Sequence, residues 1–215
     1  MLFKDRESAG KQLAASMMHY AHEKDAIVLG LPRGGVVVAY EVAKALYLPL
    51  DVICPRKIGA PSNPEFAIGA ITETGEGIFN DSIIEEMQIS KEYLEQAIES
   101  EKQQALRRLH LFRKNRPPRN LKDKIVIIVD DGLATGSTML AAVKSVKHEG
   151  AKKIVVAVPV APWHTAEELQ VCVDEVICLA TPSDFMAIGQ FYQDFDQVED
   201  EEVVEFLDGS PYTNC

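Results

Sequence analysis

Short β-branched runs alternate with helical segments along most of this chain, and that alternation restricts the fold more than any other feature of the sequence. In the second half it predicts strands at 125–129, 153–158 and 175–179, with helices at 136–148 and 164–171 between them. Strands separated by helices in this way pair in parallel, and the helices cover both faces of the sheet. The predicted fold class is therefore α/β, with a mostly parallel twisted sheet and helices on both faces.

The first half of the chain continues the pattern less regularly. Strands are predicted at 26–29, 51–54 and 66–72, and helical segments at 7–22, 36–46 and over most of 82–115. Ser90 is the predicted N-cap of the longest helix. Residues 182–215 are aromatic, acidic and irregular, which favours a small C-terminal hood over one edge of the sheet. The length and the lack of a biased linker predict a single domain, 1–215.

The chain is acidic, with a formal net charge of −11, and otherwise has the composition of an ordinary globular protein. This balance argues against general binding to nucleic acid or to an anionic membrane, because both need a positive surface. No apolar run reaches the ~18 residues of a membrane-spanning helix, and the charged start shows no secretory signal. Four scattered cysteines favour reduced thiols and a cytoplasmic protein. They are Cys54, Cys172, Cys178 and Cys215.

A short loop of small and hydroxyl-bearing residues leads from the strand at 125–129 into the next helix. Its last residues are Thr135, Gly136, Ser137 and Thr138. Unpaired backbone N–H groups at a helix N-terminus, helped by the helix dipole, bind phosphate. Gly136 lets the backbone approach a ligand closely, and the hydroxyl groups add donors. The loop lacks the lysine of a nucleotide P-loop, so it predicts a phosphate site of another kind.

Two adjacent carboxylates, Asp130 and Asp131, separate the strand from this loop. They would repel a phosphate, so we expect them to face sugar hydroxyls or Mg²⁺ instead. A ligand with a phosphate at one end and a diol nearby, such as a ribose 5-phosphate, suits the whole stretch. The alternative is a solvated strand end followed by a capped turn.

The segment VIIVDDGLATGST, residues 126–138, resembles the phosphoribosyl-pyrophosphate (PRPP) loop of the type I phosphoribosyltransferases, and the resemblance extends over roughly residues 25 to 180. It implies that Asp130 and Asp131 are the catalytic carboxylates, which bind the ribose 2- and 3-hydroxyls directly or through Mg²⁺. It also implies that the N–H groups from Ala134 to Thr138 bind the 5-phosphate. The fold implied is that of the same family.

The family holds pyrophosphate in a loop after an early strand, often with a non-proline cis peptide, and residues 31–35 occupy the matching place. The resemblance assigns pyrophosphate binding to Arg33, Gly34 and Gly35, and leaves open whether the Arg33–Gly34 bond is cis. A tight turn between strand and helix is the alternative. Basic residues after the second strand, here Arg56 and Lys57, often reach the pyrophosphate in the family; alone they would be a solvated strand end.

The acceptor is not identified by the sequence. Ala134 stands where 6-oxopurine enzymes of the family usually carry an aspartate, which argues against hypoxanthine and guanine. Phe185 lies in a segment that faintly resembles the base-stacking tail of the purine enzymes, although core packing is an alternative for it. The family's mobile lid corresponds to the start of residues 57–120, which we interpret as a lid and helical insertion.

Together these features predict a phosphoribosyltransferase that moves 5-phosphoribose from Mg²⁺-bound PRPP to a nucleobase or similar nitrogen acceptor and releases pyrophosphate. The resemblance further implies a homodimer. The alternative is a regulatory protein of the same fold that senses PRPP or a nucleotide without turnover. A receiver-like signalling domain is disfavoured, because its acidic pair follows the first strand rather than a central one.

Overall fold

The structure, a computed structural model, describes residues 2–114 and 116–210. It confirms the α/β class with a five-stranded parallel sheet in the order β2-β1-β6-β7-β8. These strands are β1 (Ala26–Gly30), β2 (Leu50–Val52), β6 (Ile125–Val129), β7 (Lys153–Val160) and β8 (Glu175–Ala180). Asn115 and residues 211–215, which include the end of the expected hood and Cys215, lie outside the described residues.

Helices cover both faces of the sheet, as the alternating pattern predicts. On one face lie α1 (Arg6–Ala15), α2 (Gly34–Leu46), α4 (Lys91–Arg113) and α7 (Asp200–Asp208); on the other lie α5 (Ser137–His148) and α6 (Trp163–Gln170). Strand β1 shows why: Val28 faces the first group of helices, while Ile27 and Leu29 face the second. Successive side chains of a strand point to opposite faces, so a central strand buried on both sides must be apolar throughout.

A second sheet of three antiparallel strands lies beside the parallel one. It contains β3 (Arg56–Ala60), β4 (Asn63–Ile71) and β5 (Gly77–Phe79), followed by the short helix α3 (Asp81–Glu86). The strand predicted at 66–72 corresponds to β4, whereas β3 was not predicted. Ser90 is the N-cap of α4, as expected, and its side chain accepts a hydrogen bond from the Tyr93 amide. No helix among the described residues is long and apolar enough to cross a membrane.

The helix predicted at 7–22 is shorter in the structure. It ends at Ala15, and a separate 3₁₀ turn, Met18–Tyr20, follows. The Ser16 amide and hydroxyl both donate to the Leu13 carbonyl, which gives this carbonyl of the last helical turn partners at the point where the helix ends. The turn buries Tyr20 against the core instead of continuing the helix.

The C-terminal region packs on the sheet edge near the N-terminus. Phe191 lies in a 3₁₀ turn, Ile188–Phe191, and clusters with Phe3, Tyr192 and Val160. Backbone hydrogen bonds join residue 3 to this region, from the Phe3 amide to the Phe191 carbonyl at 2.8 Å and from the Gln193 amide to the Phe3 carbonyl at 2.9 Å. The start of the described chain therefore packs on residues 191–193, close to Val160 at the carboxyl end of β7.

Candidate functional site

Two neighbouring parallel strands bring the main predicted motifs together. Gly30 at the end of β1 pairs with Val129 at the end of β6, and the Leu31 amide donates to the Val129 carbonyl at 2.9 Å. Because the strands are parallel and in register, the 31–35 loop and the Asp130–Asp131 pair leave the same edge of the sheet. The two motifs were predicted from the sequence alone. Their proximity follows from the order of the strands in the sheet.

The 134–138 loop is preformed at the start of α5. Gly136 is the N-cap, with φ 72°, a left-handed conformation that glycine adopts without a steric penalty. The Thr165 hydroxyl donates to the Ala134 carbonyl at 2.9 Å and ties the loop to α6. The hydroxyl groups of Thr135 and Ser137 lie 3.2 Å apart. The first amides of a helix have no partner within the helix, so this loop presents donors suited to an anion.

The two carboxylates lie between this loop and the 31–35 loop. The Asp131 amide donates to Asp130 Oδ1 at 2.8 Å. Burial raises the pKa of Asp130 well above its usual range, and the negative charge of Asp131 raises it further. Burial also raises the pKa of Asp131, while a hydrogen bond from Arg6 acts in the opposite direction. Perturbed acids of this kind are typical of functional sites.

Arg6 belongs to the site and was not predicted. Its Nε donates to Asp131 Oδ2 at 2.7 Å, and both side chains are largely buried. It lies in the first turn of α1, 125 positions from its partner in sequence. No local motif marks such a long-range pair, so the sequence carried no signal for it.

The 31–35 loop contains a non-proline cis peptide, and the bond is Pro32–Arg33 rather than Arg33–Gly34. Gly34 and Gly35 lie directly against the carboxylates. A Cβ atom at position 34 would overlap Asp131 Oδ2, and one at position 35 would lie 2.6 Å from Asp130 Oδ1. The loop can approach both carboxylates only because these residues have no side chain.

The Arg33 side chain points to the C-terminal region. Its Nη1 lies 3.4 Å from Glu199 Oε2 and 3.9 Å from Asp200 Oδ1, at the start of α7. About 30% of the side chain is exposed, so it is free to change partner. Arg33 therefore lies in the predicted loop, but its guanidinium pairs with two acidic residues that the sequence did not connect with it.

Arg56 and Lys57 lie on β3 rather than after a strand end. Arg56 donates to Glu101 Oε2 at 2.8 Å and to Gln104 Oε1 at 3.0 Å, both on α4. Lys57 is exposed, and both residues line a cavity of about 460 Å³ between β3 and α4. Within the described ranges, neither side chain hydrogen-bonds to Asp130, Asp131 or the 134–138 loop. The structure therefore groups this pair with α4 and not with the carboxylates.

Phe185 is half-buried in the C-terminal region and stacks on Phe191, with ring centroids 5.3 Å apart and planes at 29°. A different aromatic residue connects this region to the carboxylates: the Tyr192 hydroxyl donates to the Asp131 carbonyl at 2.6 Å. Burial raises the pKa of the Tyr192 hydroxyl, which therefore stays protonated and acts as a donor.

Asp130 and Asp131 have the donor chemistry that a magnesium ion takes from a protein. Mg²⁺ is usually held by one or two carboxylates, with ligand phosphates and water completing the octahedron. Over residues 2–114 and 116–210, no three histidine, cysteine, aspartate or glutamate side chains form a closed metal cage. An ion at this position would therefore depend on the ligand for most of its coordination.

Comparison with known proteins supports the family resemblance found in the sequence. The model of the phosphoribosyl transferase domain matches residues 3–196. Two Mycobacterium tuberculosis proteins, from strains CDC 1551 and H37Rv and provisionally named phosphoribosyl transferases, are each 44% identical over 207 residues. Those matches cover 96% of this chain but only 46% of each relative, so the chain spans about half of their length.

A solved structure is also similar over almost the whole chain. The crystal structure of TT1426 from Thermus thermophilus is 43% identical, covers 96% of this chain and 98% of its own, and superposes with a TM-score of 0.82. The family match covers most of the chain and includes α1, both loops and the two carboxylates. The chain belongs to the phosphoribosyl transferase family.

Proposed function

We propose that this protein transfers 5-phosphoribose from Mg²⁺-bound PRPP to a nitrogen acceptor and releases pyrophosphate. One observation carries the proposal: Gly34 and Gly35 lie directly against Asp131 and Asp130. The loop expected to hold pyrophosphate thus lies directly beside the residues expected to hold the ribose, and the two would line one binding cleft. The 134–138 loop, which follows the same carboxylates, would form the phosphate end of that cleft.

Each part of the cleft suits one part of PRPP. The amides of Thr135, Gly136, Ser137 and Thr138 would bind the 5-phosphate. Asp130 and Asp131 would accept hydrogen bonds from the ribose hydroxyls and would hold the metal ion. That ion, when bound, supplies positive charge to the departing pyrophosphate. Reaction at the ribose C1 needs the leaving group stabilised and the acceptor held in line, so the protein needs no covalent nucleophile.

Arg33 would leave Glu199 and bind the pyrophosphate through charge-assisted hydrogen bonds. Its present ion pair is half-exposed, and such pairs contribute only about 0.2–1 kcal/mol, so the exchange costs little. Arg56 and Lys57 would approach the pyrophosphate only if β3 moved toward the cleft, as the proposed lid at 57–120 implies. This mobile role for the segment is part of the proposal.

We propose a nucleobase or a similar nitrogen compound as the acceptor, and Ala134 argues against the 6-oxopurines. Phe185 remains the proposed stacking residue for the base, although its ring now packs on Phe191. The homodimer and the cytoplasmic location belong to the same proposal. A non-catalytic PRPP sensor is the second candidate. It is favoured by the present pairing of Arg33 with Glu199, which directs this cation away from the pyrophosphate, whose stabilisation as a leaving group only a transferase needs.

Pyrophosphate release separates the two candidates. The protein is incubated with PRPP, Mg²⁺ and each member of a panel of purine, pyrimidine and other nitrogen bases, and released pyrophosphate is measured. Release with at least one acceptor, abolished by Gly136→Asp, supports the transferase. Binding of PRPP without release for any acceptor supports the sensor. If wild-type protein does not bind PRPP, both candidates are wrong.

A further inference from the structure

We propose that Arg6 is a positioning residue, which fixes the Asp131 carboxylate in the orientation that faces the ribose. This inference rests on the proposed function, because it assigns to Arg6 a part in holding PRPP. In the described contacts Arg6 touches neither the 134–138 loop nor Phe185, the proposed stacking residue for the acceptor. Its effect on the ligand would pass through Asp131.

The first support is the geometry of the pair. Arg6 Nε lies 2.7 Å from Asp131 Oδ2, and the two side chains are 12% and 11% exposed. This hydrogen bond engages Oδ2 and leaves Oδ1 as the oxygen that a ribose hydroxyl would reach. A Cβ atom at position 34 would overlap Asp131 Oδ2 and would lie 2.6 Å from Arg6 Nε. The pair therefore occupies the space that Gly34 leaves open.

The second support is how firmly Arg6 itself is held. The Asp5 side chain caps α1 by accepting from the Ser8 amide at 2.7 Å, and the Ser8 hydroxyl accepts from the Asp5 amide at 3.1 Å. Just before the helix, the Asp194 amide donates to the Lys4 carbonyl at 2.9 Å. These contacts fix the backbone on both sides of Arg6, so its guanidinium starts from a defined position.

The third support is that several atoms of the Arg6 guanidinium make contacts at the same time. Besides the bond to Asp131, Nη1 donates to the Asp196 carbonyl at 2.7 Å, and Cζ lies 3.8 Å from the centre of the Phe195 ring. Arginine is suited to such a site because its planar fork donates in fixed directions and stacks on an aromatic ring. An ammonium group could replace the charge but not this combination of contacts.

A purely structural role is the competing interpretation, since Arg6 also fastens the C-terminal region to the body of the protein. The chain offers a matched control for that role. Arg116 donates to the Leu50 carbonyl at 3.1 Å and to the Leu207 carbonyl, and so ties α7 to β2 without contacting either carboxylate. Loss of Arg116 would loosen the same region while leaving Asp131 in place.

The test measures the dissociation constants of Mg²⁺-bound PRPP and of inorganic pyrophosphate for the full chain and for Arg6→Gln, Arg6→Lys and Arg116→Gln. For Arg6→Gln we expect PRPP binding about tenfold weaker and pyrophosphate binding within about twofold of wild type, because only PRPP carries the ribose. Arg6→Lys should lose less than Arg6→Gln. Arg116→Gln should change the two ligands in parallel or not at all.

Three results would overturn the inference: unchanged PRPP binding by Arg6→Gln, equal losses for both ligands, or the same selective loss in Arg116→Gln. Wild-type protein that fails to bind PRPP would overturn the proposed function and this inference together. Wild-type binding combined with unchanged binding by Arg6→Gln would overturn this inference alone. Thermal unfolding of each variant checks that the fold is kept.

Discussion

The 31–35 loop and the 134–138 loop begin at neighbouring parallel strands, enter helices and contain glycine, yet they use glycine for different purposes. At Gly136 the requirement is conformational, because φ is 72° and the nearest obstacle to a Cβ atom is a methyl group of Thr165 at 2.9 Å. At Gly35 the requirement is space, because a Cβ atom would lie 2.9 Å from the Asp130 Cα.

This difference indicates that the two loops have different parts in the proposed cleft. The 134–138 loop presents backbone donors in a fixed shape, with Ala134 and Thr135 exposed, and is suited to any phosphate monoester. The 31–35 loop is closely packed on the carboxylates, and it has room for them only because Gly34 and Gly35 carry no side chain. On the proposed function, we expect selectivity for a ribose with a pyrophosphate to have its origin in the 31–35 loop.

The largest expected effect is on stability, from one methyl group added to each loop. Gly35→Ala should lower the free energy of unfolding by about 3 kcal/mol, because the new atom meets backbone that cannot move aside. Gly136→Ala should cost about 1 kcal/mol, mostly from the left-handed backbone, since the Thr165 methyl can shift. Urea unfolding measures both values. Equal losses, or a larger loss at position 136, would contradict the claim that Gly35 is required for space and Gly136 for its backbone conformation.

The next effect is on binding, at the phosphate side. Gly136→Asp should weaken PRPP binding about a hundredfold relative to Gly136→Asn, because the added carboxylate repels the 5-phosphate. Asparagine has the same size and tolerates the left-handed region, so it controls for shape. Calorimetric titration of both variants gives the ratio. Equal affinities would mean that no phosphate approaches this loop.

A smaller effect on stability is expected from Asp130, one of the two carboxylates that lie against the 31–35 loop. Burial raises the pKa of Asp130 in the folded protein above its unfolded value, so the folded state binds the proton more tightly. The contribution of Asp130 to stability is therefore expected to be lost as pH rises from about 4 through its raised folded pKa. Asp130→Asn should remove that loss and be more stable than wild type at pH 8, on the order of 1 kcal/mol.

The control for this pH dependence has the opposite sign. A hydrogen bond from Lys114 lowers the pKa of Asp208, so that carboxylate stabilises the fold above its unfolded pKa and loses this contribution in acid. Unfolding is therefore compared from about pH 2 to 8. Above about pH 5 the stability of Asp208→Asn should lie below wild type by a constant amount, and the difference should disappear in acid, whereas Asp130→Asn should gain on wild type as pH rises. An Asp130→Asn curve that stays parallel to wild type throughout would be inconsistent with a buried, destabilising Asp130.

The smallest effect tests whether Arg33 is available to a ligand. Glu199→Gln removes the charge that now holds Arg33 Nη1 at 3.4 Å, and we expect PRPP affinity to rise about twofold. Glu201→Gln is the control, because Glu201 is an exposed acidic residue of the same helix without an ion pair to Arg33 in the described structure. A loss of affinity in Glu199→Gln would show that Glu199 supports binding instead.

Sequence patterns predicted the parallel sheet well, because its central strands β1, β6 and β7 are buried on both faces and must be apolar. Strand β6 begins and ends at the predicted residues 125 and 129. Strand β3 was missed, since Arg56, Lys57 and Gly59 give it no apolar alternation. Its pairing with the distant β4, where Arg56 lies opposite Ile71, makes it a strand.

The candidate site, too, was predicted where a local pattern marks it and missed where distant contacts determine it. Asp130 and the 134–138 loop form one continuous motif, so the sequence could predict them. Arg6, the direction of Arg33 and the packing of Phe185 on Phe191 are all determined by contacts that no local motif records. Such contacts leave no periodicity or spacing in a single sequence.

Calorimetric titration of PRPP into wild-type protein and Asp131→Asn, each with and without Mg²⁺, tests most directly the claim that the two loops and the carboxylates form one PRPP site. We predict magnesium-dependent binding by wild type. In well-folded Asp131→Asn we predict weaker binding with little response to magnesium, because the variant lacks one of the two carboxylates. Wild-type protein that binds no PRPP, or that binds it equally with and without magnesium and equally in Asp131→Asn, would contradict the claim.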